Sequence, residues 1–163
     1  MDMLYLWIIL TIIGALAHLF LSKTPKTKNR VIEIFLMYTL VVMVGFASIW
    51  AFLGHAFLAN QIAAYIGWSA GSPFQFEVAM ANLSYGILGI LCFKFRDNFW
   101  TATVVAFTTF YWGAAYGHIV DIINHANYAA GNAGAVLYFD MLLPVVLIVL
   151  LLAYRMTLKK SLN

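Results

Sequence analysis

The nine Lys and Arg residues fall in three clusters separated by long apolar stretches, and this spacing leaves few folds open. The clusters are Lys23, Lys26, Lys28 and Arg30, then Lys94 and Arg96, then Arg155, Lys159 and Lys160. Five apolar segments, at about residues 3–22, 31–56, 76–93, 99–122 and 136–154, each approach the roughly 20 residues that cross a hydrocarbon core. Five crossings that begin outside bring every basic cluster to one side, and the connections at about 57–75 and 123–135 carry no Lys or Arg. The positive-inside rule then predicts an all-α, polytopic transmembrane helix bundle with five spans, N-terminus outside and C-terminus in the cytoplasm.

Composition points the same way, because 64% apolar and 9% charged residues are too few polar groups to cover a water-soluble surface. The net charge of +3 is accounted for by basic residues beside anionic headgroups, so the expected partner is the lipid bilayer and no nucleic acid. One domain, residues 1–163, in the inner (cytoplasmic) membrane with several passes, is the expectation. Asp2 stands where a signal peptide has a basic region, and the basic run after the first segment reads as a stop-transfer signal, so that helix is expected to remain. Cys92 is the single cysteine, which excludes disulfides and cysteine-pair zinc or redox motifs. No nucleotide-binding or hydrolase motif is present.

Local signals set the helix ends. Ser72-Pro73-Phe74-Gln75 has the capping-box pattern with an early Pro. Asp97 and Asn98 are cap candidates for the fourth span, Gly131, Asn132 and Gly134 suggest a turn, and Pro144 should kink the fifth span by freeing the carbonyl of Asp140. Gly113 and Gly117 form a GxxxG face, with Gly86 and Gly89 a similar strip on the third span. Such faces let helices approach closely, within the bundle, in a homo-oligomer or against another subunit of a membrane complex. Tyr5, Trp7, Tyr65, Trp68, Tyr128 and Tyr138 suit an outer aromatic belt and Trp100 an inner one.

The ionisable residues divide by depth. Asp2, Glu33 and Asp97 read as solvated interfacial charges, and His18 as a packing or interfacial histidine. Glu77, Asp121 and Asp140 lie with His55, His118 and His125 on the outer side. At about 1.5 Å rise per residue, His118 is about 28 Å and Asp121 about 33 Å along the fourth span from Phe99. His118, Asp121 and His125 fall within an arc of roughly 60°. An unpaired carboxylate in lipid is costly, so such a cluster should face the bundle interior.

Its ligand types are those of an iron, copper, manganese or zinc site formed by His55, Glu77, His118, Asp121 and Asp140, with His125 as an outer or alternative ligand. A haem between His55 and His118, beside Gly54 and Gly117, is a variant that the three carboxylates weigh against. Metal binding is the leading functional expectation. Catalysis stays open, with redox chemistry on a small or lipophilic substrate, assisted by Tyr111 or Tyr116, as the class if there is one. The alternatives are a proton-coupled small-solute transporter and a non-catalytic accessory subunit of a membrane complex. Asn60, Gln61, Asn82, Asn124, Asn127 and Asn132 enlarge the polar zone, which is equally compatible with a hydrated funnel.

Three stretches carry a resemblance: residues 72–83 (SPFQFEVAMANL), 113–121 (GAAYGHIVD) and 127–134 (NYAAGNAG). Over roughly residues 50–155 the chain resembles a family of small, functionally unassigned prokaryotic membrane proteins. That resemblance implies a small helical membrane protein and no activity. In size and helix count the chain is also similar, more distantly, to DoxX-like membrane proteins.

Overall fold

Long apolar runs with few helix breakers satisfy their backbone groups internally by forming helices, and a computed structural model describes residues 3–161 as almost entirely helical, with side chains described as far as Leu158. Asp2 and the side chains of Lys159 and Lys160 lie outside the described residues. Helix α1 is Met3–Leu21; α2 (Lys28–Tyr38) continues through a π-helical segment, Thr39–Phe46, into α3 (Ala47–Phe57). A short α4 (Ala59–Ile66) precedes α5 (Phe74–Leu91), α6 (Asn98–His125), a single turn α7 (Ala130–Ala133) and α8 (Ala135–Ser161). No strand occurs among the described residues.

Four of these stretches are long and apolar enough to cross a membrane: Met3–Leu21, Lys28–Phe57, Phe74–Leu91 and Ala130–Leu158. Helix α6 has 28 residues, ample length, but is not among the four. Two of its threonines are satisfied locally: the hydroxyls of Thr103 and Thr109 donate to the carbonyls of Phe99 and Val105, each at 2.9 Å.

All three basic clusters gather at one end of the bundle. Glu33 accepts from Arg30 Nη1 at 2.9 Å and also from Arg96, so it is a half-buried bridge between two clusters rather than the solvated charge expected. Arg155 donates to Asn98 Oδ1 at 2.9 Å and to Thr101 Oγ1 at 2.7 Å, and Thr157 donates to Asn29 Oδ1 at 2.7 Å. His18 lies edge-on to Tyr38 and within 3.4 Å of Arg30 Nη2, a packing role as expected.

The close-packed core fills the half of the bundle toward this basic end, where Leu36, Leu40, Val44, Trp100, Phe107 and Leu147 are buried together. Trp100 belongs to that core and not to an aromatic belt. It is fully buried, its indole N–H donates to the Cys92 carbonyl at 2.8 Å, and Arg96 lies over its ring. The outward surface is apolar, with Ile13, Phe20, Val105, Val149 and Leu152 more than half exposed, an arrangement that suits hydrocarbon better than water.

Two glycine strips behave differently. Gly86 and Gly89 meet the π segment and α3: a Cβ on Gly89 would lie 2.3 Å from the Gly45 nitrogen, backbone against backbone. Gly113 and Gly117, the sequence's GxxxG pair, have nothing within 4 Å of a Cβ. They open onto a cavity instead, because α5 packs against α3 and the π segment and leaves space beside α6.

The expected capping box is also absent. Helix α5 starts at Phe74 with no side-chain cap, and Gln75 turns inward, where its amide donates to the Ala59 carbonyl at 2.8 Å. That carbonyl belongs to the first turn of α4, so Gln75 ties the start of α5 to the start of α4 instead of capping its own helix. At Asp97 the chain adopts φ 55° before α6, again without a side-chain cap. Helix α8 runs on through Pro144.

Candidate functional site

Away from the basic end the helices part around a cavity of about 540 Å³ walled by α3, α5, α6 and α8. Most of its wall is apolar, with Trp68, Phe74, Phe110 and Tyr111 among the lining residues, and a few polar groups converge on it: His55, Asn82, His118 and Asp140. A second cavity of about 200 Å³, reaching α1 at Met3 and Trp7, shares Ala51, Tyr111, Val136 and Asp140 with the first. Asp140 therefore stands in the partition between the two.

The chemistry centres on His118, which is buried and stacked at 16° on Trp68. Its Nδ1 lies 2.6 Å from Asn132 Oδ1. Asn132 is fully buried and its amide nitrogen already donates to the carbonyls of Asn127 (2.8 Å) and His118 (3.3 Å), so its oxygen must be the acceptor and Nδ1 of His118 carries the hydrogen. That orientation leaves Nε2 facing Asp140 Oδ2 at 3.7 Å. Nε2 thus turns its lone pair toward that carboxylate across a distance too long for a direct hydrogen bond. Asp140 is 4% exposed and has no other ion-pair or hydrogen-bond partner among the described residues.

The other expected residues lie around this pair without joining it. His55, half-buried on α3, is held through Nδ1 by the Gln75 side-chain oxygen. Asp121 accepts from Asn127 Nδ2 at 2.6 Å and pairs with the exposed His125 Nδ1 at 2.7 Å, so these two serve the loop after α6. Asn127 also donates to the Ile66 carbonyl at 2.9 Å, tying that loop to the end of α4, where Gly67 adopts φ 84°. Glu77 is exposed on the first turn of α5 and has no hydrogen-bond or ion-pair partner among the described residues.

The six residues thus divide into His118–Asp140, Asp121–His125, His55 with Gln75, and a separate Glu77. Among the described residues no group of three or more His, Cys, Asp or Glu side chains is placed to hold a metal ion. Gln75, Asn127 and Asn132 instead each hold one of these side chains, His55, Asp121 and His118 respectively, and tie it to a backbone carbonyl. Nor does Gly54 give a macrocycle room, since a Cβ there would meet Ile62 at 3.3 Å.

Sequence reasoning underweighted Gln75, Trp68 and Asn82. Tyr111 donates to Asn82 Oδ1 at 2.8 Å, while Asn82 Nδ2 donates to the Val78 carbonyl, so the two orient each other at the cavity wall. A polar amide at the centre of an apolar span was the available signal. Trp68, expected in the aromatic belt, follows the Gly67 turn inward onto His118. Tyr116 is 71% exposed and points away.

No curated protein and no solved structure matches this chain. The model of a family of unknown function, DUF6790, matches residues 1–160, well beyond the central stretches that carried the resemblance. With nearly its whole length matched, the protein belongs to the DUF6790 family of unknown function.

Proposed function

We propose that this is a five-pass protein of the cytoplasmic membrane, N-terminus out, that binds a small molecule in the outer half of its bundle at the His118–Asp140 pair. The observation that carries the binding reading is the 540 Å³ cavity, mostly apolar, with few polar groups directed at one place. The five-crossing reading is supported by the gathering of the basic clusters at one end, with α6 running from that end to the opposite one before α8. A metal centre draws support from residue types alone. Proton-coupled carriage of a solute is the second reading, favoured by one observation: Asp140 borders both cavities.

Orientation is tested with impermeant thiol reagents on intact cells. Cysteines at the exposed positions Ala70 and Ala130 should be labelled from outside and one at Thr27 should not, against a clean background because Cys92 is fully buried. Labelling at Thr27 would reverse the orientation. The cavity is tested with an uncharged diazirine-bearing alkyl alcohol in the purified protein. Photolabels should concentrate on Val78, Phe110 and Ala114 and fall severalfold in Gly117→Leu, whose side chain projects into the cavity. Labels spread evenly over the apolar surface in both proteins would remove the binding reading.

A further inference from the structure

The ligand class can be argued from charge and from where the cavity opens, granting the binding site proposed above. Among the described residues Asp140 is the one carboxylate lining the cavity, and no Lys or Arg lines it. A buried carboxylate needs a counter-charge or a proton. Its sole described neighbour of that kind is His118, 3.7 Å away, longer than a direct hydrogen bond. The walls add Trp68, Phe74, Phe110 and Tyr111, and aromatic faces beside an acid form the recognised receptor for an organic cation, which they attract through the ring quadrupole. Inorganic cations fit poorly, since a wall this apolar offers too few oxygens to replace a hydration shell.

The opening decides how such a ligand arrives. Gly113 and Gly117 are exposed and stand at the edge of the cavity with nothing over them. Next to them on α6, Trp112 and Tyr116 are exposed side chains, a surface that suits hydrocarbon or its boundary. Absence of side chains at the two glycines leaves the cavity open on the side of α6 toward α5.

We infer that the cavity binds a lipophilic organic cation, entering from the bilayer between α5 and α6 and pairing with the Asp140 carboxylate among the aromatic walls. Charge delocalised over a large apolar body lowers the cost of leaving water, and the buried carboxylate supplies selectivity that an apolar wall alone lacks.

Tetraphenylphosphonium and tetraphenylborate test this directly, being near-identical in shape and opposite in charge. With the purified full chain in an uncharged detergent, and protein-free micelles subtracted, equilibrium dialysis should give at least about tenfold tighter binding of the cation, the scale expected of one desolvated charge pair. Asp140→Asn should abolish the preference, Asp140→Glu should keep it, and Trp68→Leu should weaken cation binding severalfold. If Asp140→Asn does not fold, the wild-type preference together with the Glu and Trp68 variants decides the question. Equal binding of the two ions, or a preference that survives Asp140→Asn, overturns the cation assignment. If the uncharged diazirine alcohol still labels the cavity while the phosphonium ion does not bind, the cation assignment fails alone; if neither occupies it, the binding site fails with it.

Discussion

Replacing Gly89 by alanine should lower the melting temperature of the purified protein by about 5–10 °C and sharply cut its folded yield. A Cβ at this position would lie 2.3 Å from the Gly45 nitrogen, 2.6 Å from the Gly45 Cα and 2.7 Å from the Leu40 carbonyl oxygen. All three atoms are backbone, so no rotamer change can relieve them and α5 must move off the π segment. Overpacking that side chains can absorb costs about 1–3 kcal/mol; here the upper end applies, and for a chain of this size each kcal/mol is worth roughly 2–4 °C. Gly117→Ala is the control, because nothing lies within 4 Å of its Cβ. A Gly89→Ala protein that melts with the wild type would show that the two helices do not meet as described.

Asn132→Leu should be nearly as damaging, and its effect should be local. The substitution keeps the volume and deletes the groups that hold His118 Nδ1 and the Asn127 carbonyl. Each buried group left unpaired costs about 1–3 kcal/mol. Hydrogen exchange in residues 126–134 should rise, while the helices at the basic end, whose core is remote from Asn132, keep their protection. Unchanged exchange in that loop would mean that Asn132 does not fasten it to α6.

The helical architecture was legible because it depends on two coarse properties, apolar length and the position of positive charge. Both average over many residues. The expected segments agree with the helices to within a few residues, save that α6 runs three residues further, to His125, and α8 continues to Ser161. The short α4 was hidden because an eight-residue segment gives a weak periodic signal between two spans. The paired glycines were read alike since spacing states only that a face is smooth, while what lies opposite is decided by tertiary packing. Gly89 found Gly45, and Gly117 found open space.

The polar residues were legible as a set but not as a circuit. Their common depth follows from helical rise, and His118, Asp121 and His125 share one side as their angles require. Gln75, Asn127 and Asn132 compete for them, each amide bonding one of His55, Asp121 and His118 together with a backbone carbonyl. Sequence spacing says nothing of that competition. His118 and Asp140 are 22 positions apart on different helices, and only the packing of α6 on α8 brings them within 3.7 Å.

That packing bears on how the chain is made. Helix α6 falls outside the four stretches long and apolar enough to cross a membrane, and it packs on α8, which follows it in the chain. Under the proposed five-pass topology a ribosome would deliver α6 to the insertion machinery before its partner exists, with Thr108 and His118 still unshielded. The fourth span would then wait at the interface, or beside the translocon, until α8 follows, and the two would enter lipid as a hairpin. His118 and Asp140 would meet at that same moment, so that formation of this pair and entry of the hairpin would be one event.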